Sequence, residues 1–454
     1  MSDFEALMWN LDKDPRLSST IANLAILDRS PDMDRLRARL QRAATAVPRL
    51  RQRVVGGPGR LAPPAWRWDH DLDLNYHVRQ VSLGSRRSTR ALNELVATLF
   101  MLPFDRARPL WEFIVIEGLP GDRAAMLQKI HHTVTDGQGG LRLSEQFIDL
   151  TRDAPEPEPL PEPQTVPEPE SFLTGLADAV VHLTRRQLGV TRRALGEMTN
   201  VVAHPNALID TGRQMFNGTT SALRQARTGG APLSPLWTTR SLRRVFGTLD
   251  VPLAAAKESA RTLGGTVNDF FVTGTAAGAA EYHRRCGVEV DGLRMAMPIS
   301  TRSDRSAGGN MFSPSQCVVP AGRMRPADRF EAVREVLEAT KSEPVVDMVD
   351  AMAGVLNLLP TSVLARASYS MSSSVDFVTS NLRGAPVELY LAGARMEANY
   401  PLGPIAGTAF NLSTMSYRGT LCMGAVIDSG AIEDPGLLLR CLNTAFRDLI
   451  AAGS

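Results

Sequence analysis

The chain has 454 residues, which at roughly 100–200 residues per domain gives room for two or three domains. An apolar share of 43% allows sizeable buried cores, and no apolar run reaches the ~18 residues needed to span a bilayer. The net charge of +2 is too close to zero to imply a nucleic-acid partner.

Asp32 to Arg53 reads as a helix, with Leu36, Leu40, Ala43, Ala44 and Val47 on one face and Pro31-Asp32 as its start. Residues 89–100 repeat that pattern through Leu92, Leu95, Val96 and Leu99. Phe113-Ile-Val-Ile and Ala124 to Ile130 read as strands, and the second delivers His131 and His132 at its end. A further helix is expected after Gly137, carrying Leu143, Phe147 and Leu150.

Residues 154–170 alternate proline with glutamate, which denies them helix and sheet bonds and extends them. They serve either as a tether between two halves or as a plain solvated loop. Residues 171–230 are helical in pattern and rich in arginine, and Gly175, Gly189 and Gly196 weaken one continuous helix. Such a stretch either meets anionic lipid or packs on the domain with its arginines in water.

Beyond it, Val245 to Leu249 and Arg294 to Ile299 read as strands. Pro252 to Leu263, Val267 to Arg285 and Asp434 to Ala452 read as helices. Ser374 to Thr379, Val387 to Leu391, Gly407 to Thr414 and Leu421 to Val426 read as further strands. The expected division is 1–153 (N-terminal half), 154–170 (linker), 171–235 (basic helical connection) and 236–454 (C-terminal half). Cys286, Cys317, Cys422 and Cys441 are widely spaced, with no C-x-x-C, as in a reduced compartment. The start, Met1-Ser-Asp-Phe-Glu, lacks the pattern of a secretory signal.

The chemistry concentrates in His131-His132-Thr133-Val134-Thr135-Asp136-Gly137. Histidine exchanges a proton near neutral pH, a nearby carboxylate can orient the ring or anchor its loop, and glycine permits a sharp turn. Three readings are open: a general base, a metal site with Asp136, and satisfied core histidines. The spacing is not that of a common zinc motif. There is no G-x-S-x-G elbow, and Gly56-Gly57-Pro58-Gly59 lacks the Lys-Ser/Thr of a phosphate loop. Gly274 and Gly278 suit close helix packing better than a cofactor site.

H-H-x-x-x-D-G resembles the active-site motif of the chloramphenicol acetyltransferase-like superfamily. Arg108-Pro109-Leu110-Trp111-Glu112, Thr266-Val267-Asn268-Asp269, Pro298-Ile-Ser-Thr-Arg302 with Gly309-Asn310, and Ser380-Asn381 with Gly384 narrow the likeness. So do Pro48 to Arg53 and Asp71 to Arg79. Together they resemble the bacterial wax ester synthase/diacylglycerol acyltransferases, in order and over nearly the whole chain. Two departures stand out. Pro15-Arg16-Leu17-Ser18-Ser19 replaces a P-M-H-like stretch, and Arg383 stands where members often carry proline. Neither is expected to touch the base.

The resemblance implies an α/β fold of two chloramphenicol acetyltransferase-like sandwich halves with the active-site tunnel between them. It implies acyl transfer from acyl-CoA to the hydroxyl of diacylglycerol or a long-chain alcohol. His132 would be the general base, with no covalent intermediate. His131 and Gly137 would shape the loop, and Asp136 would pair with Arg51 or, second, Arg302. Pro109, Leu110 and Trp111 would pack the tunnel. Asn268 is a candidate for the oxyanion site, with a structural role as the alternative, and Asp269 would line the tunnel or be structural. No resident cofactor or metal is expected, since acyl-CoA is a substrate. The expected location is cytoplasmic, with peripheral contact at a membrane or lipid-droplet surface. Carrier-bound thioesters as substrates, and a non-catalytic lipid-binding homologue, are the alternatives.

Overall fold

The computed structural model describes residues 1–56, 64–135, 137–158, 160, 231–300, 312–341 and 361–453. Asp136, Arg302, Gly309, Asn310, the linker beyond residue 160 and the basic stretch 171–230 lie outside them.

The strands are β1 (Thr20–Leu27), β2 (Gln52–Val55), β3 (Ala65–Trp68), β4 (Val78–Ser82), β5 (Trp111–Glu117), β6 (Ala124–His131), β7 (Ile148–Asp149) and β8 (Arg244–Pro252). They continue as β9 (Gly292–Ser300), β10 (Phe312–Pro320), β11 (Phe377–Arg383), β12 (Tyr390–Leu391), β13 (Ala394–Leu402), β14 (Phe410–Tyr417) and β15 (Thr420–Asp428). The helices are α1 (Asp3–Leu11), α2 (Met33–Ala46), α3 (Leu74–His77), α4 (Thr89–Met101), α5 (Gly137–Ser144), α6 (Leu253–Thr262), α7 (Val267–Arg285), α8 (Pro326–Lys341), α9 (Thr361–Ser373) and α10 (Pro435–Ala452). Among the described residues no helix is long and apolar enough to cross a membrane.

Two main sheets organise these elements. The first has the order β4-β5-β6-β1-β13-β12-β7, the second β10-β9-β11-β14-β15-β8. Each has its own core. Trp111, Phe113 and Phe147 centre the first; Phe270, Phe377, Phe410 and Phe446 centre the second. On the second sheet α7 presses directly on α10. A Cβ at Gly274 would stand 2.2 Å from the Phe446 ring, and one at Gly278 2.7 Å from the Leu442 backbone. These glycines are there for helix packing, as expected.

Residues 390–402 fall within the expected C-terminal half, yet β12 and β13 hydrogen-bond into the first sheet. β13 pairs antiparallel with β1, Ala22 opposite Leu402, and so carries the C-terminal chain across. Two glycines permit the crossing. A Cβ at Gly424 of β15 would meet the Pro401 carbonyl at 2.1 Å, and one at Gly403 would meet the Asn411 and Ser413 side chains at 2.6–2.7 Å. Tyr400 of β13 then donates its hydroxyl to Asp250 of β8 at 3.0 Å, tying the two sheets together.

Several expected boundaries need correction. The helix starting at Asp32 ends at Ala46, not Arg53. Pro48 cannot continue the helical ladder and opens a 3-10 turn over Pro48–Arg51. Leu50 stays buried, so the apolar spacing runs on past the helix. The helix after Gly137 stops at Ser144; Ile148–Asp149 is a strand and Leu150 is exposed.

Candidate active site

β6 is buried along its whole length and ends at His131. It lies between β5 and β1, with Thr20 opposite His131. Two backbone bonds fix the strand end: His131 N–H donates to the Leu110 carbonyl and His132 N–H to the Ser19 carbonyl, each at 2.9 Å. The chain then turns, with Val134 N–H on the His131 carbonyl at 2.9 Å, and Gly137 opens α5.

The two histidines differ in kind. The His131 ring is fully buried, edge-on to Trp9 and Phe104 with centroids 6.3 and 6.2 Å away. The Thr133 N–H donates to its Nδ1 at 3.1 Å, and the Thr133 hydroxyl lies 2.7 Å from the same atom. A nitrogen that accepts from a backbone N–H carries no proton, so the proton sits on Nε2. Nε2 faces Asp12 Oδ1 at 3.6 Å. Nδ1 is thus filled by Thr133, while Nε2 has no acceptor within hydrogen-bond distance among the described residues. His132 is only half-buried.

Asp12 is half-buried at the C-terminal cap of α1. Burial opposes its ionisation, but attraction to His131, Ser18 and Arg106 outweighs this and holds the carboxyl below its usual range. Beside it a cleft of about 90 Å³ opens between the halves. Asp12, Arg16, Thr20 and Met101 line it from the first half, Arg244 and Ile405 from the second.

The P-L-W segment braces this end of the first sheet. Pro109, Leu110 and Trp111 are all buried. Leu110 supplies the carbonyl that holds His131, and Trp111 Nε1 donates to the Leu50 carbonyl at 2.8 Å. The indole stacks on His77, whose Nδ1 lies 2.7 Å from the Trp111 carbonyl; burial pushes the His77 pKa down against that bond. Arg51 follows the pinned Leu50. Its guanidinium lies over Trp68 at 5.5 Å, and its buried Nε finds no acceptor among the described residues. Its expected partner Asp136, and the second choice Arg302, lie outside them.

Lys129, two residues before His131, is buried beneath the site. Its ammonium donates to the Leu102 carbonyl at 2.5 Å, sits 4.4 Å over the Phe104 ring and lies 3.9 Å from Glu112, which also binds Arg79. In the second half Asp269 completes a capping box with Thr266 at the start of α7. Asn381 Nδ2 donates to Asn268 Oδ1 at 3.3 Å, so the N-D and S-N segments meet. Among the described residues no three His, Cys, Asp or Glu side chains converge as a metal site.

Sequence reasoning missed two contributors. Asp12 belongs to no motif, and Ser19 lies in the departing segment expected not to touch the base. That expectation is corrected: the Ser19 carbonyl holds the His132 backbone directly. A strand partner is set by pairing across the sheet, which local spacing does not reveal.

The family model for the wax ester synthase/diacylglycerol acyltransferase catalytic domain matches residues 1–271, and that for the WS/DGAT C-terminal domain matches residues 308–450. A Mycobacterium tuberculosis protein named "Putative diacyglycerol O-acyltransferase" is 33% identical over 450 residues, covering 98% of this chain and 90% of its own. A second from that organism, of the same name, is 28% identical over 479 residues, covering 100% and 97%. The solved wax ester synthase/diacylglycerol acyltransferase of Marinobacter aquaeolei VT8 is similar in fold, with TM-score 0.65, 19% identity and 96% of each chain covered. The first condensation domain of the calcium-dependent antibiotic synthetase superposes with TM-score 0.59 at 14% identity, covering 100% of this chain and 96% of that one. The chain therefore belongs to the wax ester synthase/diacylglycerol acyltransferase family of acyltransferases.

Proposed function

We propose that this chain transfers a long-chain acyl group from acyl-CoA to the hydroxyl of diacylglycerol, of a long-chain alcohol, or of both, with His132 as general base. One observation carries the assignment of the base. His131 is fully buried with Nδ1 filled by Thr133, whereas His132 is half-buried at the end of β6, next to Thr133 and bound through its backbone to Ser19.

The His132 ring takes the proton of the acceptor hydroxyl as its oxygen attacks the thioester carbonyl. The tetrahedral intermediate collapses, the C–S bond breaks, and the imidazolium returns the proton to the departing thiolate. Ester and free CoA leave, and no acyl group is carried by the protein. Holding both substrates between the halves supplies proximity; proton transfer adds on the order of 10²- to 10⁴-fold. Asp136, paired with Arg51, anchors the loop that carries the base. Arg51 supports this by offering a buried Nε without an acceptor among the described residues.

Purified protein should esterify diacylglycerol or hexadecanol from labelled palmitoyl-CoA, and His132→Ala should abolish the product without lowering the melting temperature. A His132→Ala variant with wild-type turnover would sink the assignment. Activity on pantetheine-carrier thioesters but not on acyl-CoA would favour the condensation-type reading; lipid binding without turnover would favour a non-catalytic one. Asp136→Ala should cost both rate and stability, and an active variant with unchanged melting would remove the anchoring role.

A further inference from the structure

We propose that Asp12 is a positioning residue for the transfer reaction, fixing the backbone and the inner neighbour of His132 through one carboxylate. The proposal rests on the assignment of His132 as the base. His132 itself is held from two directions. Its N–H is bound by the Ser19 carbonyl at 2.9 Å, and its preceding residue is His131. Both supports lead to Asp12. Oδ1 accepts the Ser19 N–H at 3.2 Å and faces His131 Nε2 at 3.6 Å. Oδ2 accepts from Arg106 Nη2 at 3.2 Å.

Arg106 is itself fixed. The same nitrogen donates to the Trp9 carbonyl at 3.1 Å, and the guanidinium lies over the Trp9 ring at 4.0 Å. The Trp9 ring in turn meets His131 edge-on. The carboxylate therefore closes a circuit of α1, the 12–20 connection and the end of β6. Ser18 tightens the connection: its hydroxyl lies 3.0 Å from that of Thr20 and accepts the Thr20 N–H at 3.3 Å. Thr20 is the strand partner of His131.

The protonation states agree. Thr133 fills His131 Nδ1, which leaves Nε2 turned toward Asp12 Oδ1 at 3.6 Å, the nearest carboxylate to that atom's proton. Without it, the Ser19 N–H loses its acceptor, His131 Nε2 loses the facing carboxylate, and the strand end that presents His132 is free to shift. A displacement near 1 Å at a reacting group costs on the order of 10²-fold in rate.

The test compares Asp12→Ala, Asp12→Asn and His132→Ala in the full-length protein, using labelled palmitoyl-CoA with hexadecanol or diacylglycerol. We expect Asp12→Ala to lower kcat by about 10- to 100-fold, with the KM for palmitoyl-CoA changed by less than about 3-fold, at a temperature where melting shows it folded. Asp12→Asn keeps an oxygen for both donors and should recover most of the rate. Two-bond proton–nitrogen spectra should show His131 as the Nε2–H tautomer in the wild type and in Asp12→Asn. Wild-type kcat in Asp12→Ala, a loss explained by the unfolded fraction alone, or an Asn variant no better than Ala would each overturn the proposal. If His132→Ala is inactive and Asp12→Ala is not impaired, Asp12 alone loses its role. If His132→Ala stays active, the base assignment falls and takes this proposal with it.

Discussion

The Trp111 indole joins two otherwise separate segments: Nε1 donates to the Leu50 carbonyl at 2.8 Å, while the ring stacks on His77 at 4.3 Å. The strand carrying Trp111 also pairs with β6, and the neighbouring Leu110 carbonyl holds His131. One residue thus connects the Pro48–Arg51 turn to the histidine loop, sixty residues apart in one direction and twenty in the other. Trp111→Phe keeps most of the apolar volume but leaves the Leu50 carbonyl without its donor. The expected cost is about 1–3 kcal/mol, seen as a lower denaturation midpoint with unchanged slope. An unchanged midpoint would show that the indole N–H contributes nothing.

The two histidines should separate stability from catalysis. His131→Ala opens a cavity in the core and deprives the Thr133 N–H of its acceptor, for a loss of about 2–3 kcal/mol. His132→Ala should leave the midpoint within about 0.5 kcal/mol of wild type. Equal destabilisation by both substitutions would contradict this division of labour.

Gly424 offers a test of how tightly the halves are joined. Its Cα faces the Pro401 carbonyl so closely that a Cβ would sit 2.1 Å from that oxygen, and the obstacle is backbone on a strand of the other sheet. Gly424→Ala must therefore part β13 from β15 or bend one of them. Overpacking of this kind costs about 1–3 kcal/mol or more. It should also impair turnover, because the cleft is lined from both halves. A fully stable and active Gly424→Ala protein would show that the crossing is looser than drawn.

What the sequence revealed follows the range of the forces involved. α4, α6 and α10 were legible because one-sided burial repeats at helical spacing, α7 because its apolar run is too long for a strand and is buried nearly all round, and β5 and β6 because their apolar runs are short and bounded. β1 escaped notice: Thr20–Leu27 is buried on parts of both faces, so its pattern does not alternate cleanly. The crossing of β13 was not legible at all. Its partner Ala22 lies hundreds of residues from Leu402, and nothing in the local spacing at 394–402 names it. The same holds at the site. The motif pointed to His131 and His132, but the contacts that hold them, through Thr133, Ser19 and Asp12, appear only in three dimensions.

Lys129 makes a prediction about pH. Desolvation by burial is the main cause that brings its pKa down to about 8, against the pull of Glu112. In the unfolded chain a lysine titrates near 10.4. Between those values the unfolded state binds the proton and the folded state does not, so stability rises with pH through this window. Below about pH 8 the charged form is buried at a cost; above about 10.4 that cost is gone. Lys129→Met has similar length and no such term. Relative to the variant, the wild type should gain stability as pH is raised from 7 to 10, by at most about 3 kcal/mol. Denaturant midpoints of the two proteins, taken in parallel across that range, cancel the titrations they share. A constant difference between them would mean that Lys129 keeps an ordinary pKa, and that its contacts with Leu102, Phe104 and Glu112 fully replace the water it has lost.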